Sequence, residues 1–248
     1  MNNTPVIVFV LVGALAQLID GSLGMGYKTS TTTFLLSFGV PPVFASSSVH
    51  IGGIFTSAAS GLSHWKLGNL DKTLFKQLVL PGIIGGIIGA VLLIHIPTQI
   101  IKPLVALYLL VMGVRIILKA LQQKTDLQIA TRTTPLGFFG GFFDAIGGGG
   151  WGPIVTSTLM MDGHHPRIVV GSVNIAEFFV TLFQSITFLF LLQKIAWNVV
   201  IGLIIGGVAT APMAAYLTRF IPAQRLMLLV GILVMTLSLR TFLVALIG

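Results

Sequence analysis

The sequence predicts an all-α polytopic membrane protein made of two inverted-topology repeats, each of five helical segments. Three observations carry that prediction. Of 248 residues, 55% are hydrophobic and 8% charged, with a mean hydropathy of +1.01, whereas a soluble domain carries about a quarter charged residues. Apolar runs recur to the C-terminus and are far longer than the roughly ten-residue alternating strands of a membrane barrel. The chain also aligns with itself. "GALAQLIDGSLGMGYKTSTTTFLL" (13–36) lies on "GFFGGFFDAIGGGGWGPIVTSTLM" (137–160), with Asp20 on Asp144, Gly24 on Gly148 and Gly26 on Gly150. Internal symmetry of this kind builds many transporter folds.

The same register places "SSSVHIGGIFTSAAS" on "VGSVNIAEFFVTLFQ". Small gaps bring "IIGGII" (83–88) onto "LIIGGVA" (203–209), Pro97 onto Pro222 and Arg115 onto Arg240. The expected repeats are 1–124 and 125–248, within one integral membrane domain. In the first, the segments run at about 5–20, 27–39, 42–63, 72–94 and 98–121. In the second they run at about 135–145, 153–163, 166–190, 195–217 and 222–246. The first two of each half are short. At 1.5 Å per residue they span about 15–24 Å, less than the roughly 30 Å hydrocarbon core. Each pair reads as a hairpin that enters the membrane and turns back, with a glycine-rich tip near the midplane. Two full crossings would give the same parity. The first segment lacks the basic flank of a signal peptide and reads as part of the mature protein.

Charge orients the segments. Five per half gives the halves opposite directions and gathers Lys66, Lys72, Lys76, Lys119, Lys124, Arg132, Arg167, Arg219 and Arg225 on one side. Lys102 and Lys194 fall on the other. The basic side is expected to be cytoplasmic, in a cell (cytoplasmic or inner) membrane, with both termini outside. The net charge of +8 then belongs to loops facing anionic lipid, and no nucleic-acid partner is expected. There is no cysteine, so thiolate metal sites are excluded. "DGHHPR" (162–167) reads as a polar loop, so no metal and no cofactor is expected. Trp65 and Trp197 sit near segment ends, where interfacial tryptophans belong.

The tips are the candidate site. Helix starts offer unpaired N–H groups and a dipole that favours anions, and glycine lets a ligand approach them. Gly24 and Gly26 in the first half, and Gly148, Gly149 and Gly150 in the second, would deliver such groups. Trp151 at the second tip either gates the site or packs, and Pro153 suits a first helical turn. The alternative is that the glycines only permit tight helix crossing. The following helix of each half carries a polar stripe: Ser46, His50, Gly53 and Ser57 in one, Val170, Asn174, Glu177, Thr181 and Gln184 in the other. Lys28, Ser47, His50, Ser172 and Asn174 are the candidate side chains for an anion. Intramembrane charge is expensive and needs a cavity or a partner. Asp20, Asp144 and Glu177 therefore either carry protons or serve structure, the aspartates by bonding their own tips and Glu177 by pairing with Lys28.

"GMGYK", "VHIGGIFTSAASGLSHWKLGN", "DAIGGGGWGPIVTSTLM" and "GSVNIAEFFVT" together resemble the TauE/SafE sulfite exporter family over nearly the whole chain. The resemblance implies a transporter of small sulfur-containing anions such as sulfite, thiosulfate or organosulfonates. Export is the expected direction, because an anion leaves a cell that is negative inside without a coupled ion, whereas uptake would need protons or sodium. Two positions depart from the family's usual pattern: Gly53, where an acid is often found, and Lys28, where glycine is. The residues themselves reach as far as a small anionic substrate in a lipid bilayer, moved by alternating access around two helix starts. The alternative is a proton-coupled carrier of another small solute, using Glu177, Asp20 and Asp144. An enzyme is not expected, since HExxH, GxSxG, a cysteine nucleophile and a P-loop are all missing.

Overall fold

The computed structural model describes residues 5–23, 26–66, 68–121, 132–162, 164–217 and 223–247. Gly24 lies outside them. The described residues form helices and the turns between them: α1 (Val6–Leu23), α2 (Tyr27–Ser37), α3 (Pro42–Lys66), α4 (Lys72–His95), α5 (Thr98–Leu121), α6 (Thr133–Gly147), α7 (Ser157–Met161), α8 (Pro166–Leu191), α9 (Trp197–Leu217) and α10 (Ala223–Ile247). Four apolar stretches are long enough to cross a bilayer: Lys72–His95, Thr98–Leu121, Ile168–Leu191 and Met227–Ile247. The chain is a multi-pass helical membrane protein.

Local chemistry sets the ends. Pro42 and Pro166 open α3 and α8 at positions where a missing N–H costs nothing. The Asp71 carboxylate accepts from Thr73 N and Leu74 N at the head of α4, at 2.8 and 3.0 Å. Gly148, at φ 64°, closes α6 in the left-handed conformation. The one departure from the expected segments is 153–163. There a π-helical turn (Gly152–Thr156) precedes a short α7. Pro153 has no N–H to place in an α-helical ladder, and Gly149 O, a carbonyl that ladder would use, accepts instead from Tyr108 Oη at 3.1 Å.

Packing puts small residues inside and large ones outside. α1 runs along α9, α6 along α4, α5 along α10 and α3 along α8. On α4, Gly82, Gly85, Gly86 and Gly89 are buried, while Leu80, Ile84, Ile88 and Leu92 on the opposite face are exposed. A Cβ at Gly141 would strike Gly82 O, and one at Gly206 would strike Val10 O. Backbone therefore meets backbone at both the α4–α6 and the α1–α9 crossings. The exposed aliphatic faces are ordinary for a surface bathed in lipid.

Candidate functional site

α6 and the turn after it build the centre of the site. Asp144, wholly buried near the end of α6, accepts from Gly150 N at 2.8 Å and Trp151 N at 3.0 Å through Oδ1. Its Oδ2 receives Lys28 Nζ at 2.6 Å and faces His50 Nε2 at 3.1 Å. Both oxygens are thus engaged twice. The first half repeats the device in part: Asp20 Oδ1 accepts from Tyr27 N at 3.1 Å, at the start of α2. The N–H groups of Tyr27, Gly150 and Trp151, which sequence reasoning offered to a substrate, are paired with the protein's own carboxylates.

Lys28 stands in the first turn of α2 and is 7% exposed. Besides Asp144 it reaches Glu177 Oε1 at 2.9 Å and donates to Thr181 Oγ1 at 3.1 Å. Its stem runs past Gly53, where a Cβ would lie 3.7 Å from both Lys28 Cδ and Thr181 Cγ2. Both ring nitrogens of His50 face acceptors: Nδ1 meets Ser46 O at 2.7 Å and Nε2 meets Asp144.

The glycine run is explained by close approach. Gly148 and Gly149 have φ of 64° and 144°, where an L side chain is strained. A Cβ at Gly149 would press on the Lys28–Thr29 backbone, and one at Gly148 on Thr32 and Ser46. Thr32 Oγ1 also donates to Gly148 O. Gly147 and Gly150 leave room for the Tyr108 ring and hydroxyl. The second tip therefore docks directly on α2.

A small cavity opens beside this cluster, about 30 Å³, enough for two or three waters. Its lining includes Asp20, Gly26, Lys28, Gly150, Asn174 and Glu177, all singled out in the sequence. It also includes Tyr27, Thr56, Ser60 and Gly152, which were not. Ser60 extends the stripe of Ser46, His50, Gly53 and Ser57 by one more step of three, so that stripe could have found it; it accepts from Asn174 Nδ2 at 2.7 Å. Thr56 is the stripe's neighbour. Tyr108, which holds the tip from α5, left no signal in sequence because its role depends wholly on packing.

Other candidates lie elsewhere. Ser172 Oγ accepts from Asp71 N at 2.8 Å and ties α8 to the α3–α4 turn. Ser47 donates to Phe44 O within its own helix. Trp151 is wholly buried, donates to Val173 O at 3.2 Å, and packs its ring beside Gly82 and Gly140. Among the described residues no group of three histidine or acidic side chains could hold a metal ion.

A helical membrane protein with a buried charged cluster on an internal cavity is the class that fold and site define. Two comparisons make it specific. The family described as "Sulfite exporter TauE/SafE" matches residues 9–241. A relative from Bacillus subtilis (strain 168), "Probable membrane transporter protein YtnM", is 42% identical over 245 residues, covering 95% of this chain and 82% of its own. No solved structure matches the chain. The chain belongs to the TauE/SafE sulfite exporter family, and membrane transport is the function that membership carries.

Proposed function

We propose that the chain exports a small sulfur-containing anion, of the sulfite, thiosulfate or organosulfonate kind, and that the cavity beside Lys28 is its binding site. The observation that carries this reading is a buried ammonium at the junction of α2 with the second tip. Beside it the cavity presents the Ser60 hydroxyl and the Asn174 amide, with the Thr56 and Ser57 hydroxyls, which donate to Gly53 O at 3.1 and 2.8 Å, able to turn toward a ligand. Gly26, Gly150 and Gly152 keep the backbone of both helix starts close to that space. An oxyanion needs this combination of one cation and several neutral donors. Lys28 is the primary contact in this reading, since carboxylates already take three of the tip N–H groups.

The architecture in this proposal is the pair of inverted repeats, 1–124 and 125–248, in a cytoplasmic membrane with both termini outside. Exchanging α1 with α6, α4 with α9, α3 with α8 and α5 with α10 maps each of the four main helix pairings onto another or onto itself. That is the contact pattern two related halves would make. Their relative rocking would open the cavity to each side in turn.

Purified protein in liposomes tests the substrate class. Labelled thiosulfate, sulfite and methanesulfonate are supplied down a concentration gradient. Saturable, mutually competing flux is expected, lost in Lys28→Gln protein that remains folded. Absence of flux for all three with intact protein would remove sulfur anions from the proposal.

A further inference from the structure

We infer that the anion and a proton share one cycle, because the anion must take Lys28 from Glu177. This rests on the reading of the cavity as the anion site. The two carboxylates that hold Lys28 differ in kind. Asp144 is 0% exposed and each of its oxygens has two partners, so it cannot leave without unpairing the second tip. Glu177 is 18% exposed, lines the cavity and reaches Lys28 through Oε1. Asp144 is the fixed counter-ion and Glu177 the exchangeable one.

An anion arriving at Lys28 occupies the ammonium face that Glu177 holds. The titratable groups around Glu177 are then Asp20 on α1 and Tyr27 and Lys28 on α2, which line the cavity with it, and Asp144 on α6, bonded to Lys28 and to His50 on α3. Two of those are acids, Lys28 is engaged by the anion and Asp144, and His50 is spent on Asp144 and Ser46. A carboxylate displaced into that setting has no cation and little water, so the neutral acid is the stable form. The oxygen that loses Lys28 gains the proton. When the anion leaves, Glu177 returns to Lys28 and releases it. A monovalent anion with one proton carries no net charge, so its flux ignores the membrane potential, and export runs on the outward concentration gradient of the anion against whatever pH gradient opposes it.

The test needs an anion that cannot carry the proton itself. Methanesulfonate stays ionised throughout the accessible pH range, unlike sulfite. Wild-type proteoliposomes enclosing a pH-sensitive dye are given an inward methanesulfonate gradient, with the potential clamped by potassium and valinomycin. The expected result is acidification of the lumen by one proton per sulfonate, at a rate unchanged when the clamp is moved. Glu177→Gln is expected to alter the rate of sulfonate flux, and whatever flux it retains should move no protons and respond to the potential. Sulfonate flux in wild type without proton movement overturns the coupling and leaves the anion site standing. Proton movement that persists in Glu177→Gln gives the proton to another group, Asp20 first, and overturns the role of Glu177. No sulfonate flux while thiosulfate or sulfite moves overturns the coupled cycle for sulfonates. Absence of flux for all three overturns the binding site on which the inference stands.

Discussion

At the scale of single residues, three acids drew attention for one reason, their depth in an apolar chain, yet their surroundings separate them. Asp144 holds two backbone N–H groups, a lysine and a histidine, with no exposure. Asp144→Ala takes the acceptor from both N–H groups and from His50 Nε2, and leaves Lys28 with Glu177 and Thr181 alone. It is expected to lower stability by about 3–5 kcal/mol, the cost of breaking a buried pair. Glu177→Gln leaves Lys28 paired with Asp144 and keeps a polar group at the cavity, so its loss should stay near 1 kcal/mol. Thermal unfolding in detergent distinguishes the two; equal losses would mean that Asp144 is not the tighter anchor. The sequence made these residues visible, because charge in a membrane segment demands a partner. It also offered both alternatives for the aspartates, and the tip-bonding one matches what Asp20 and Asp144 do. It could not show that this bonding uses the very N–H groups proposed for a ligand, since that depends on how a turn of six residues closes. Gly149 teaches the same lesson. From sequence it would deliver an N–H group to a ligand, but φ 144° and the nearness of Thr29 tie it to packing.

At the scale of elements, segment positions were legible to within a few residues, because lipid imposes long apolar runs and proline and glycine punctuate them. The π-helical turn at Gly152–Thr156 was not, since it depends on Tyr108 from α5 and Trp151 folding under α4. The glycine face of α4 has a consequence that can be measured. A Cβ at Gly85 would lie 2.9 Å from Phe138 C and closer still to its carbonyl oxygen, and backbone cannot step aside as a side chain can. Gly85→Ala should therefore push α4 from α6 and destabilise by about 1–3 kcal/mol, the usual range for overpacking. Ile88→Ala, on the exposed face three residues on, trims a side chain only partly covered by protein and should cost less than Gly85→Ala. Melting temperatures of the two variants in the same detergent test this; a larger loss for Ile88→Ala would mean that its face is covered by another protein surface.

At the scale of the whole molecule, the orientation proposed from charge and parity is directly measurable, because the chain has no cysteine. If each hairpin returns to the side it entered from, α3 ends and α8 begins on the same side. Lys66 and His164 then face the cytoplasm, while Thr98 and Lys194 face outward. If each hairpin were a single crossing, Lys66 and His164 would lie on opposite sides, and Lys66 would share its side with Lys194. All four positions are exposed, so each accepts a single cysteine at little cost to the fold. With a membrane-impermeant maleimide on intact cells, Thr98→Cys and Lys194→Cys should label at once, and Lys66→Cys and His164→Cys only after permeabilisation. That pattern would give the two halves opposite orientation, so that a site at their junction could face either side by the same motion. Labelling of Lys66→Cys together with Lys194→Cys would make the hairpins single crossings, the halves parallel, and the rocking of two inverted repeats untenable.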